Sequence, residues 1–188
     1  MKEIEILVEI YDDIDKIKNK LNKFEYVGLK HTIDEYYYDP KRDILKPDKD
    51  NQLSHCLRLR TVNNDYYITY KDDVFENGIW QYSNEYETKI ESIEVMNAIF
   101  DRLELKKFIV IDNRKEIYKT NKYEIALENV KDLGLFLEVE FCTNDDVDIK
   151  EVKKEIQSFI DELNINVSEE LNMGKPEMYM RKHNISIK

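Results

Sequence analysis

The sequence has few of the glycine and proline residues that are typical of linkers, and it lacks the long apolar runs that cross membranes. Its 188 residues include four glycines and three prolines, which argues against long linkers and suits one domain over residues 1–188. No apolar run approaches the ~18 residues of a membrane-spanning helix, and no signal peptide is evident. We therefore expect a cytoplasmic protein with no membrane partner.

Cysteine is also scarce, and basic residues are outnumbered by acidic ones. The two cysteines, Cys56 and Cys142, lie in strand-like segments without the spacing of a zinc site, so we expect buried free thiols in a reducing compartment. The 29 Lys and Arg residues face 40 Asp and Glu residues, which gives a formal net charge of -11. This balance disfavours nucleic acid as a partner, because a nucleic-acid-binding surface is basic, but it permits a buried basic pocket.

The first segment of the chain alternates acidic and aliphatic residues. Successive side chains of a strand point to opposite faces, so Glu3 and Glu5 share one face and the aliphatic residues share the other. Neighbouring carboxylates repel unless a cation lies between them. Charged pairs recur on one face of two later segments, which contain Arg58 and Arg60, and Glu138 and Glu140.

Residue spacing predicts eight strands and three helices. The predicted strands span residues 2–10, 26–38, 54–61, 66–71, 80–90, 108–119, 123–130 and 133–141. The predicted helices run from a cap at Asp12 or Asp13 to about residue 23, then over 92–103 and 149–163, with a shorter helix at 177–182. The charged segment 41–51 is the longest candidate for a mobile loop. Short turns between most strands favour an α+β fold around an antiparallel sheet or a closed barrel.

The polar faces of these strands permit two interpretations. They can be the solvent face of an open antiparallel sheet. Alternatively, eight strands can close with the polar faces inward and form a charged tunnel beneath the helices. In a tunnel, Arg and Lys would bind phosphate oxygens, and paired Glu residues would hold Mg²⁺ or Mn²⁺. The charge pattern alone leaves both interpretations open.

An ordered set of short motifs resembles the CYTH superfamily, the triphosphate tunnel metalloenzymes. This superfamily includes class IV adenylate cyclases, thiamine triphosphatases and inorganic triphosphatases. The motifs are Glu3-Ile4-Glu5, Arg58-Leu59-Arg60, Tyr70-Lys71, Glu85-Tyr86-Glu87 and the segment 133–140. The resemblance covers residues 3 to about 179, and segment 34–60 is most similar to the bacterial class IV cyclase-like branch.

The resemblance implies an eight-stranded antiparallel β-barrel with helices packed outside, and it implies roles for named residues. It assigns Glu3, Glu5, Glu138 and Glu140 to Mg²⁺ or Mn²⁺, or to ordering the basic residues. It assigns the phosphates to Arg58, Arg60, Lys71 and Lys115, and catalysis to Lys71 and Lys115. It places Glu85, Glu87 and Glu128 in the tunnel lining. The implied partner is a nucleoside triphosphate, thiamine triphosphate or inorganic triphosphate, and a homodimer is left open.

The sequence departs from the family pattern at four positions. The family opens with Glu-x-Glu-x-Lys, and Leu7 stands at the position of that Lys. The Lys-x-Arg of the sixth strand is replaced by Asn113 and Lys115 around Arg114, which should face outward by alternation. Glu128 stands where the family has Asp.

The loss of a base at Leu7 has three open outcomes. A tail lysine, Lys175 or Lys182, can replace it, the substrate can carry less charge, or the site can be catalytically weak, which we favour. The main functional hypothesis is a metal-dependent enzyme that hydrolyses a triphosphate or forms cyclic AMP from ATP. The alternative is a catalytically eroded module that binds nucleotide or polyphosphate. No Ser/His/Asp or Cys/His triad is recognisable, which fits the enzyme hypothesis, because neither reaction needs a dedicated nucleophile.

Overall fold

The computed structural model describes residues 1–187 and contains eight strands and four α-helices. The strands are β1 Lys2–Glu9, β2 Glu25–Tyr38, β3 His55–Val62, β4 Asp65–Glu76, β5 Ile79–Ile90, β6 Lys106–Lys119, β7 Glu124–Val130 and β8 Gly134–Thr143. The helices are α1 Ile14–Leu21, α2 Ile93–Arg102, α3 Ile149–Glu162 and α4 Lys175–His183, with a 3-10 turn at Asp43–Leu45.

The eight strands close into an antiparallel barrel in the order β1-β5-β4-β3-β2-β6-β7-β8. Closure depends on β1, which pairs with β5 on one side and with β8 on the other. Glu3 lies opposite Ser83 of β5, and Glu5 lies opposite Glu140 of β8. A closed barrel has no unpaired edge strand. The predicted α+β barrel is therefore confirmed, and the open-sheet interpretation is wrong.

The largest apolar core lies outside the barrel wall, between the sheet and the helices. The outward residues Ile4, Ile6 and Val8 of β1 pack with Ile156 and Ile160 of α3 in one buried cluster. The opposite face of β1 points into the lumen and carries its acidic residues. This arrangement follows from the alternation in the sequence, because a strand between two environments exposes one residue type to each.

The hairpin of β4 and β5 is longer than predicted. The sequence predicts that strand 4 ends at Lys71, but β4 continues to Glu76 and turns back at Ile79. Asn77 and Gly78 have φ angles of 54° and 76°, which a two-residue turn matched to the sheet twist requires. Asp73 is accommodated in the extension because the Ser83 hydroxyl donates a hydrogen bond to it.

Other element boundaries also differ from the prediction. The tail helix begins at Lys175 rather than residue 177, with Pro176 in its first turn, where proline lacks only a donor that would be unpaired anyway. Segment 41–51 contains the 3-10 turn and buries Leu45. Within residues 1–187, the structure has no helix that is both long enough and apolar enough to cross a bilayer.

Packing of α3 on β1 should make a large contribution to stability. Ile156→Ala should lower the free energy of unfolding by about 2–5 kcal/mol, because Ile156 is fully buried and its loss leaves a cavity. Ile99→Ala in α2 is the matched control, since Ile99 is 43% exposed and should cost only about 0.5 kcal/mol. Urea denaturation of both variants measures the difference, and equal losses would contradict the assigned core.

Candidate active site

The lumen of the barrel contains a cavity of about 360 Å³, lined from all eight strands and from the segment before α4. Every site residue predicted from the sequence except Glu128 lines it, namely Glu3, Glu5, Arg58, Arg60, Lys71, Glu85, Glu87, Lys115, Glu138 and Glu140. Glu128 is fully buried behind the lining, with its carboxylate 2.5 Å from the Lys115 Nζ. The lining contains more carboxylates than basic side chains.

Three carboxylates form an acidic cluster where β1 meets β8. Oxygens of Glu3, Glu5 and Glu140 lie within 4.8 Å of one another. The register explains this proximity, because Glu5 is directly opposite Glu140 and Glu3 is two residues away on the same face. Carboxylate oxygens at this spacing are the ligands that Mg²⁺ and Mn²⁺ prefer.

The pKa values in the acidic cluster are raised. Burial raises the pKa of Glu5 to about 7, and the Glu138 carboxylate adds to the effect while Lys71 opposes it. Burial also raises the pKa of Glu3, with Lys71 opposing and Glu140 reinforcing the shift. The pKa of Glu140 is raised mainly by burial. These carboxylates would gain from a divalent cation between them, so the donor set fits the metal that the sequence resemblance implies.

Two arginines of β3 line the same lumen and differ in their partners. Arg60 makes a two-pronged hydrogen bond to Asp34, with N···O distances of 2.6 and 2.7 Å. Arg58 is 8% exposed and approaches Asp34, Glu85 and Glu87 no closer than 3.8 Å. Its Nε has no hydrogen-bond partner among the described residues. A buried guanidinium with unused donors is suited to an anionic ligand.

Asp34 supplies a negative charge next to both arginines. It lies directly opposite Arg60 in the pairing of β2 with β3. Burial alone would raise the pKa of Asp34, but Arg60 and then Arg58 outweigh it and hold that pKa well below its usual range. The sequence analysis missed Asp34. The available signal was its inward position in the alternation of Thr32, Asp34 and Tyr36, but only the register connects that position to Arg60.

Lys71 forms ion pairs with two carboxylates, those of Glu3 and Glu85. Its Nζ contacts Glu3 and lies 2.9 Å from the Glu85 carboxylate. Burial opposes ionisation of Glu85, but Lys71 and then Arg58 lower its pKa to about 2. Lys71 therefore connects the acidic cluster to the basic side chains that follow along the lumen.

Two further lysines, Lys115 and Lys175, share a pair of carboxylates in the lumen. Lys115 is 2.5 Å from Glu128 and 3.5 Å from Glu138. Lys175 is 2.8 Å from Glu128 and also contacts Glu138. Burial would raise the pKa of Glu138, but Lys115 and Lys175 together hold it well below its usual range. Glu138 is thus paired with lysines here, whereas the acidic cluster contains Glu3, Glu5 and Glu140.

The residues that depart from the family pattern also have definite positions. Leu7 points inward and is buried with Tyr36, Phe136 and Met180. Arg114 is exposed on the outer face of β6, which confirms the alternation used to predict it. Of the two tail lysines, Lys175 lines the cavity, while Lys182 is exposed and donates a hydrogen bond to the Leu133 carbonyl.

Comparisons with known proteins agree with this geometry. The CYTH domain model matches residues 1–171. The chain belongs to the CYTH family. A candidate adenylate cyclase of Methanocaldococcus jannaschii is 33% identical over 168 residues, which cover 88% of this chain and 91% of the relative.

Solved structures show that the CYTH barrel recurs in distant proteins. A Pyrococcus horikoshii protein aligns over 96% of this chain and 99% of its own, with a TM-score of 0.80 and 24% identity. A Hippeastrum candidate adenylyl cyclase, described as having a dominant triphosphatase activity, aligns over 99% and 97%, with a TM-score of 0.64 and 15% identity. Both likenesses show the fold.

The raised pKa of Glu5 predicts how stability depends on pH in the presence of a chelator. The pKa of a Glu side chain in an unfolded chain is about 4.3, so the native state holds the proton of Glu5 more tightly than the unfolded state does. The stabilisation is fully present at lower pH and is lost as pH rises to about 7, so unfolding should become easier from pH 5 to pH 8. Glu177, whose pKa burial also raises to about 7, acts in the same direction.

Two comparisons test this prediction by chemical denaturation. Glu5→Gln should reduce the loss of stability between pH 5 and pH 8 without removing the part due to Glu177. Mg²⁺ or Mn²⁺ should stabilise the wild type more at pH 8 than at pH 5, because metal ligands must be deprotonated. An unchanged pH dependence in Glu5→Gln, or no metal effect at pH 8, would contradict the assigned cluster.

Proposed function

We propose that this protein is a divalent-metal-dependent enzyme that acts on triphosphate substrates inside the barrel. One observation carries the proposal: an acidic cluster suited to a hard cation shares the lumen with the buried, incompletely partnered guanidinium of Arg58, and Lys71 and Glu85 link the two. Phosphoryl transfer depends mainly on positioning and on charge stabilisation, and this lumen offers groups for both.

The charge balance of the lumen supports a requirement for metal. Because carboxylates outnumber basic side chains in the lining, a free polyanion would meet net repulsion. Membership of the CYTH family supports Mg²⁺ or Mn²⁺ as the cofactor. When bound, such an ion supplies charge neutralisation and polarises a phosphoryl oxygen. Glu3, Glu5 and Glu140 would hold it.

The remaining site residues have proposed roles that follow from their partners. Arg58 and Arg60 would bind phosphate oxygens through paired N–H donors. Lys71 and Lys115 would stabilise the negative charge that develops on the transferring phosphate. Glu138, assigned above to metal or to ordering the basic residues, has contacts that favour ordering, because Lys115 and Lys175 both approach it. Glu85 and Glu87 flank Arg58 and would orient it.

Hydrolysis and cyclisation use the same phosphate-binding groups, so the reaction is decided by what attacks phosphorus. The relative from M. jannaschii supports cyclisation of ATP, with the ribose hydroxyl as the nucleophile and pyrophosphate as the leaving group. The activity described for the Hippeastrum protein makes hydrolysis of a triphosphate the other choice. Neither reaction needs a nucleophilic side chain.

A non-catalytic binding module is the second candidate function. Asn113 favours it, because this residue lies where the family pattern has a base, and its Oδ1 is buried without a hydrogen-bond partner among the described residues. Leu7 also brings an apolar side chain to the lumen. Such a protein would bind a nucleotide or polyphosphate without converting it.

A substrate panel separates these functions. ATP, thiamine triphosphate and inorganic tripolyphosphate are each incubated with Mg²⁺, Mn²⁺ or EDTA, and orthophosphate, pyrophosphate and cyclic AMP are measured. We expect turnover of at least one compound that EDTA abolishes. Full turnover in EDTA would reject the metal requirement. Metal-dependent binding without any product would establish the binding module instead.

Arg58 should be essential for binding the triphosphate, whereas Arg114 should not be. Arg58→Ala should weaken binding or transition-state stabilisation by about 2–5 kcal/mol, the usual cost of losing one partner of a buried charge pair. Arg114→Ala is the matched control, because it removes the same side chain from the outer face of the wall. Titration calorimetry and initial rates measure both. Comparable losses in the two variants would show that phosphate is bound elsewhere.

A further inference from the structure

The tail of the chain, from Leu171 onward, lines one side of the lumen, although all of it except Leu171 lies beyond residues 1–171 that match the family model. The Leu171 amide donates to the Leu7 carbonyl at 2.9 Å and so ties the tail to β1. Asn172 accepts a hydrogen bond from the Trp80 amide at 2.7 Å and donates one to the Gly78 carbonyl at 2.9 Å. These bonds hold the segment before α4 against the barrel.

Lys175, the first residue of α4, projects from this tail into the lumen. Its side chain is only 14% exposed and reaches both Glu128 and Glu138. Glu138 lies directly opposite Leu7 in the pairing of β1 with β8. Leu7 is the inward residue that follows Glu3 and Glu5 along β1, so β1 supplies no cation at this level of the lumen. Lys175 brings a positive charge to that place from a different element.

We infer that Lys175 is a substrate-binding cation that takes the place of a basic side chain at residue 7, so that α4 completes the anion site. This inference rests on the proposed function, since the anion is the triphosphate. An ammonium group has three donors, and the two carboxylates leave one for a phosphate oxygen. Lys115 shares the same two carboxylates, so both lysines are held side by side in the lining.

The packing of α4 connects Leu7 to Lys175. Leu7 shares an apolar cluster with Met180, a fully buried residue of α4. Leu7, which leaves β1 without a basic side chain at this level, thereby helps to dock α4, the helix that carries Lys175. Glu177 fixes the first turn of α4, because its Oε1 accepts a hydrogen bond from the Leu53 amide at 3.2 Å.

The test is a charge-relocation cycle with four variants of the full chain. They are Lys175→Met, Leu7→Lys, the double variant, and Lys182→Ala as a control on the exposed face of the same helix. Affinity for a methylene-bridged, non-hydrolysable tripolyphosphate analogue is measured in MgCl₂ by titration calorimetry, and melting temperature is measured without ligand.

Lys175→Met should weaken binding of the analogue by about tenfold or more, the effect of removing a charged contact. It should also lower the melting temperature, because Glu128 and Glu138 lose a counter-charge. The double variant should recover affinity and melting temperature, since Leu7→Lys returns a cation beside Glu138. Lys182→Ala should leave both unchanged.

Other results would overturn the inference. Wild-type affinity in Lys175→Met, or an equal loss in Lys182→Ala, would show that Lys175 does not bind the anion. If Lys175→Met does not fold, the double variant decides, because a folded double variant that fails to bind contradicts the replacement. A wild type that binds no triphosphate rejects the proposed function and the binding role together. The melting temperatures then decide alone whether Lys175 replaces a cation at residue 7.

Discussion

Every charge inside this barrel depends on a neighbour of opposite sign, because the closed wall separates it from water. A lone buried carboxylate or ammonium group is strongly disfavoured, but a paired and hydrogen-bonded one is tolerated. Glu128 is the extreme case, since it is fully buried and lies between Lys115 and Lys175. Among the described residues, the acidic cluster of Glu3, Glu5 and Glu140 brings three carboxylates together with Lys71 as the cation in contact with them, so a metal ion has most to contribute there.

Alternation in the sequence was enough to predict most of the strands and which charged side chains share a face. It groups Glu3 with Glu5 and sets Arg114 on the face opposite Lys115 without any knowledge of pairing, but it left open whether the charged faces point inward. It does not predict which strands are neighbours, because β1 pairs with β5 and β8, which are distant in sequence. The acidic cluster therefore became definite only with the register that sets Glu5 opposite Glu140.

The residues that sequence reasoning missed or left open depend on long-range geometry. Asp34 has no local feature that distinguishes it from a solvent-facing acid until β2 is paired with β3. Lys175 and Lys182 are both tail lysines, and only the docking of α4 sends one into the lumen and the other to the surface. The length of the β4–β5 hairpin was underestimated for a related reason, because Asp73 is stabilised by Ser83 on the opposite strand.

The pairing of β1 with β8 has a consequence for how the molecule is made. β1 leaves the ribosome before its partner β8, which is not complete until residue 143 has been added. Contacts between segments so far apart in sequence form slowly, since a long loop must close before they are gained. Until β8 has been synthesised, a nascent chain would therefore carry β1 with one edge unpaired. The repulsive carboxylates of β1 would discourage premature association with other chains until β8 arrives.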